Sequence, residues 1–201
     1  MPNELKILFA TSNKNKIKEA RVVLQPLGYS VQQLLINGTP PDFIEPQTED
    51  IGIISKSKVR QSLEMISGTE FSGFSILVED SGLFINNLGD FPGVYSSYIQ
   101  KTIGNDGIIK ILEDNKNRQA EYRACSILYQ NGKYFESLGI CSGKISTEIR
   151  GSNGFGFDPI FIPDSGDGRT FGEMSQSEKD SKSHRGKSLR ILYEELRGPS
   201  E

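Results

Sequence analysis

The sequence predicts an α/β protein built on a mixed β-sheet, and three observations carry that prediction. The apolar run Leu5-Lys6-Ile7-Leu8-Phe9-Ala10 passes directly into residues spaced for a helix, which starts a strand–turn–helix unit. A second mostly apolar run, Phe74 to Val78, reads as a central strand, because a strand buried on both faces loses the apolar/polar alternation. Two long β-like runs, EYRACSILYQ and KYFESLGICSGKI, flank Asn131-Gly132, the strongest short-range hairpin signal. Strand–helix units and a hairpin in one chain make the sheet mixed.

Taken in order, Ile17, Ala20, Val23, Leu24 and Leu27 recur at helical spacing from Asn13 until Gly28 ends the pattern. YSVQQLLI reads as a second strand and PPDFIEPQ as a loop. Residues 49 to 66 form an amphipathic helix with Ile53, Ile54, Val59 and Leu63 turned inward. The strand from Phe74 ends on Glu79 and Asp80, with Gly82 allowing a sharp turn. After the Pro-Gly break at Pro92 a helix surrounds Ile108, Ile109 and Leu112. The chain finishes in a helix from Ser183 to Leu196, with Leu189, Leu192 and Leu196 on one side. No repeat or Pro/Gly/Ser linker divides residues 1–201, so one domain is expected.

Composition removes several function classes. With 35% hydrophobic and 24% charged residues the chain is an ordinary globular one. Its net charge of −3, with Lys and Arg spread along it, lacks the footprint of a dedicated nucleic-acid binder. Cys125 and Cys141 are too few for a disulfide framework and lack metal-site spacing, so two buried thiols in a reducing compartment are expected. MPNELKILFA has an early acid and a short apolar run, and no segment is long enough to span a bilayer. A cytoplasmic protein without membrane partners is expected.

Four stretches carry chemistry. TSNKNK, Thr11 to Lys16, lies where a buried strand turns into a helix, where free N–H groups and the helix dipole favour an anion; an N-cap on Ser12 or Asn13 with solvent-facing lysines accounts for the same residues. VEDSGLFI puts Glu79 and Asp80 together on an apolar strand, and neighbouring carboxylates can hold Mg²⁺ and accept a proton from water; a turn leaving the strand is the alternative. His184, the one histidine, precedes Arg185 at a helix start, with Lys179 just upstream, and such donors suit a base carbonyl or a phosphate. GSNGFGFDPIF combines Gly151, Gly154 and Gly156 with rings at Phe155 and Phe157 and a carboxylate at Asp158, which fits a ligand loop or a tight turn at a sheet end.

In order along the chain, TSNKNKIKEA, VEDSGLFI, FPGVYSSY, GFGFDPIF and TFGEMSQSEKDSKSHRGKSL resemble the inosine triphosphate pyrophosphatase family, in its archaeal type. That resemblance implies an elongated mixed sheet with flanking helices, two lobes around a central substrate cleft, and commonly a homodimer. It implies Mg²⁺-dependent hydrolysis of ITP, dITP and XTP to the monophosphate and pyrophosphate. Residue by residue, it implies phosphate contacts from Thr11, Ser12, Asn13, Lys14, Asn15 and Lys16. Asp80 matches the catalytic acid and metal ligand, Glu45 the second metal carboxylate, and Ser81 a substrate contact. Phe155, Gly156, Phe157 and Asp158 match the loop that packs on the nucleobase, Lys179 a substrate lysine, and His184 with Arg185 the pair at the base edge. The helix whose lysine reaches the phosphates in many members reads EDIGIISKSKVRQ here, and both Lys56 and Lys58 are candidates for that role.

Overall fold

The structure, a computed structural model, describes residues 5–197. Strand β1 (Leu5–Phe9) leads into helix α1 (Lys14–Leu24), a single 3-10 turn and strand β2 (Tyr29–Gln33). Helix α2 (Ile51–Ile66) precedes strand β3 (Ser75–Ile85), the two-residue strand β4 (Pro92–Gly93), and helices α3 (Ser96–Thr102) and α4 (Gly104–Ile111). The hairpin strands β5 (Gln119–Gln130) and β6 (Lys133–Ile145) come next. Strand β7 (Phe161–Pro163) and helices α5 (Gln176–Lys182) and α6 (His184–Arg197) close the chain.

Among the described residues seven strands form one sheet in the order β2-β1-β3-β5-β6-β7, with β4 paired to β3. Strands β1 and β2 are parallel with Ile7 opposite Val31, and β1 and β3 are parallel with Ile7 opposite Ser75. Strands β6 and β7 run antiparallel with Gly143 opposite Pro163, so the sheet is mixed as predicted. The hairpin turn has Asn131 and Gly132 at φ of 50° and 78°, the pair of positive angles its sequence signals.

Three local expectations need correction. The acids Glu79 and Asp80 do not end a strand: β3 continues through them to Ile85. Gly82 makes no turn; it lies under β4, where a Cβ would collide with the carbonyl oxygen of Gly93. Ile53, expected inside, is 47% exposed, because the buried stripe of α2 runs through Ile54, Val59 and Ile66. Helices α3 and α5 are additional to those expected, each only seven residues long and too short for a periodicity signal.

The chain divides into two compact units. One holds the described residues up to Asp80 together with Cys125–Gly139 and those from Ser188 onward; the other holds Ser81–Ala124 and Ile140–Lys187. In the first unit the two-residue period of the strands sorts side chains onto opposite faces. Ile7, Phe9 and Leu77 pack with Ile17 and Leu24 of α1 and Leu189 and Leu192 of α6. Leu8, Ile76 and Val78 pack with Val59 and Ile66 of α2. Each such side chain contributes roughly 1.5–3 kcal/mol by leaving water. The second unit has one core, joining Leu83 and Ile85 to Ile108, Tyr122, Phe161 and Phe171.

Both thiols are buried and free, and burial pushes Cys125 up to about 12 and Cys141 up to about 11, which makes them packing residues. Among the described residues no helix is long and apolar enough to cross a membrane.

Candidate active site

In the first unit, helix α2 is started by Asp50, whose carboxylate accepts from the N–H groups of Gly52 and Ile53 at 2.7 and 3.2 Å. With the helix fixed there, Ser55 and Lys58 fall three residues apart on one face, the face that meets β3. The Lys58 ammonium lies 2.6 Å from Asp80 Oδ1 and 2.7 Å from Glu45 Oε1. The buried Ser55 hydroxyl is 3.4 Å from Asp80 Oδ2. Burial alone would lower the Lys58 pKa, but the Asp80 charge and hydrogen bonds to Asp80 and Glu45 outweigh it and hold the ammonium above its ordinary value. Lys56 turns elsewhere, to Glu136 at 2.6 Å. Of the two candidate lysines, Lys58 is therefore the one among the acids.

The turn between β1 and α1 is capped by its own side chain: Asn13 Oδ1 accepts from the N–H groups of Asn15 and Lys16 at 2.9 and 3.4 Å. Thr11 Oγ1 accepts from the Asn13 N–H, and Thr11 is anchored by Gln33, which donates to its carbonyl. Ser12, Lys14 and Asn15 are exposed. Lys16 reaches back to β3, donating to the Glu79 carbonyl at 2.8 Å and pairing with its carboxylate at 2.9 Å. The paired acids of VEDSGLFI are thus divided: Glu79 is buried on Lys16, and Asp80 faces Lys58.

In the second unit, the loop after β6 bends sharply, with Gly151, Gly154 and Gly156 all at positive φ. A Cβ on Gly154 would collide with the Asp158 carboxylate, so glycine makes room for that side chain. Asp158 accepts from the Phe155 N–H and pairs with Lys179 of α5, both contacts at 2.7 Å, with both side chains 3% exposed. The Lys179 ammonium lies 4.4 Å from the centre of the Phe155 ring, and the Arg185 guanidinium 5.7 Å from it. Arg185, buried at the start of α6, donates to Ser81 Oγ at 3.1 Å. His184 lies flat on Tyr122, ring centres 4.5 Å apart and planes within 7°. Burial, and then the nearby Asp158 charge, push the Tyr122 hydroxyl well above its ordinary value, so it stays a neutral phenol.

The predicted residues therefore fall into two groups. Glu45 and Asp80 come together around Lys58, next to the Thr11–Lys16 turn through Lys16 and Glu79. Ser81, Phe155, Asp158, Lys179 and Arg185 come together in the second unit, with His184 on Tyr122 beside them. Phe157 is a core side chain, 2% exposed within the apolar cluster. Sequence reasoning missed Ser55 and Tyr122. Ser55 is one serine among several in a helix, and Tyr122 looks like any aromatic in a strand, so nothing in either position signals a role.

A strand-to-helix turn beside a carboxylate–cation cluster, carried on a mixed sheet, puts the chain among α/β proteins whose turns of this kind can receive an anion. The particular group is the Ham1 family, to which the chain belongs: the match runs over residues 7–195. A dITP/XTP pyrophosphatase of Thermococcus kodakarensis is 42% identical over 186 residues, covering 92% of this chain and 94% of the relative. One of Pyrococcus horikoshii is 40% identical over 193 residues, covering 96% and 97%. The solved structure of a HAM1 protein from Coxiella burnetii superposes with a TM-score of 0.81 at 28% identity, over 97% of this chain and 100% of that one. The family reading drawn from the five sequence motifs holds.

Proposed function

We propose that this chain hydrolyses XTP, dITP and ITP to the monophosphate and pyrophosphate, with residues 1–201 acting as one catalytic domain. The observation that carries the reading is the convergence of Glu45 and Asp80 on one cation, within 2.7 Å of Lys58 Nζ. It has further support from relatives named dITP/XTP pyrophosphatases.

Here the ammonium stands in for a metal cation. Two carboxylates already arranged around positive charge offer the hard oxygen ligands that Mg²⁺ takes. Glu45 and Asp80 would hold it, and bound there it neutralises phosphate charge. Asp80 orients the attacking water and accepts its proton on a carboxylate oxygen, while Ser55 fixes the direction of that carboxylate. The Thr11–Lys16 turn receives the phosphates, with Ser12, Lys14 and Asn15 as its exposed donors.

Base selection falls to the second unit. Phe155 offers its ring to the purine, and Lys179, Arg185 and His184 are donors facing the carbonyl that hypoxanthine and xanthine carry where adenine carries an amino group. Phe157 supports this loop from the core. A homodimer is part of the same proposal, to be read by sedimentation. The test of the function is product analysis across a nucleotide panel. Mg²⁺-dependent release of pyrophosphate from XTP, dITP and ITP, abolished by chelation, is expected; release of orthophosphate and a diphosphate would overturn it.

A further inference from the structure

A cavity of about 700 Å³ opens in the second unit where the start of β5 meets the end of β6. Its charged lining is four cations, Lys116, Arg118, Lys144 and Arg150, against one carboxylate, Glu148. The chain as a whole carries a net charge of −3, so this excess is local. Arg118 explains how the cavity is built. Its guanidinium donates to the carbonyls of Leu112, Ile145 and Ser146 at 2.6, 2.8 and 2.7 Å, stapling β5 to β6. A guanidinium has five N–H donors, so three bonds to neutral carbonyls leave its charge in place and two donors unused. Arg150 is tethered differently, donating to the Gly168 carbonyl at 2.8 Å and sharing its charge with Glu173 at 3.6 Å. Lys116 and Lys144 are exposed, and among the described residues no ion pair ties either to an acid.

We infer that this cavity is a second anion site, which binds linear condensed phosphate: pyrophosphate, triphosphate or the phosphate tail of a nucleotide. Two tethered arginines and two free lysines match a chain of charged oxygens, guanidinium as a planar fork and ammonium as a movable point charge. The volume exceeds what one phosphate fills. None of the lining residues is aromatic, so nothing stacks on a base and the phosphate chain is the part recognised. The hydroxyls of Ser146 and Thr147 add neutral donors. The binding does not depend on the hydrolytic function proposed above.

The test is titration of the ¹⁵N-labelled chain, following the amides of residues 116–119 and 144–150. Tripolyphosphate should shift these amides saturably, pyrophosphate more weakly and orthophosphate least. Lys116→Gln with Lys144→Gln should weaken that binding by at least about tenfold, in line with the loss of two charge-assisted contacts, and leave nucleotide turnover unchanged. ATP binding equal to tripolyphosphate would assign nucleotide tails as well as free chains; exclusion of ATP would assign free chains alone. Equal shifts from sulfate and tripolyphosphate, an unchanged double variant, or tighter binding of a single-stranded oligonucleotide would each overturn the inference, the last in favour of a nucleic-acid surface.

Discussion

The acid–lysine cluster of the first unit and the aromatic–cation cluster of the second use the same ingredients and differ in water. Lys58, Asp80 and Glu45 have side chains 12%, 17% and 53% exposed, whereas Lys179 and Asp158 are both 3% exposed. Where one partner keeps half its side chain in water, as Glu45 does, the pair is weak, and that partner can take another cation at little cost. A desolvated pair is different, because removing one member strands a charge away from water. Under the proposed function, that difference would let the first cluster exchange its cation and keep the donors of the second in place before a ligand arrives.

That contrast breaks first at Lys179. Lys179→Met should destabilise the fold by about 3–5 kcal/mol in urea unfolding, and adding Asp158→Asn should restore part of the loss, since no charge is then stranded. Additive losses would mean that the pair is not coupled. Next comes Asp80→Asn, which should reduce kcat by on the order of 10²-fold or more while the unfolding midpoint moves little. Near-normal turnover would reduce Asp80 to a partner of Lys58.

Arg185→Gln sharpens the comparison on the base side. Being fully buried, Arg185 contributes to stability for all substrates alike, so the ratio of substrates is the readout. kcat/KM for XTP should fall by roughly 1–3 kcal/mol, the worth of a good contact to a base edge, with ATP changing much less. Equal losses on both would remove Arg185 from base selection.

The smallest effect concerns Lys58 and pH. Its folded pKa is raised by Asp80 and Glu45 against the pull of burial, so its pairing stabilises the fold below the ordinary lysine value and fades as pH rises through the folded one. Wild type should be the more stable of wild type and Lys58→Met near neutral pH, and the gap should close in the alkaline range. A gap that widens there would contradict the assigned partners.

Much of the fold was legible because it is local. The run Leu5–Phe9, the periodic helices and the Asn131-Gly132 turn each state their geometry within a few residues. The end of β3 was not legible: Glu79, Asp80, Ser81 and Gly82 read as polar turn residues, yet pairing with β4 supplies the hydrogen bonds and packing that keep the chain extended through Leu83 and Phe84. The inward set of α2 was misjudged at Ile53 for a related reason, since periodicity gives a stripe but the strand beneath decides which edge of it is covered.

The candidate site divides the same way. By itself the sequence determined which residue types stand at which motif positions, and hence the family, because five motifs in order need no coordinates. It left Lys56 and Lys58 equivalent, left the role of Glu79 beside Asp80 open, and said nothing of Tyr122. The tertiary structure decided which partners these side chains meet, because ion pairing and stacking depend on distance. A helix projects residues two apart in different directions, toward Glu136 and toward Asp80, and a strand sends neighbouring acids to opposite faces, the buried Glu79 onto Lys16 and Asp80 onto Lys58.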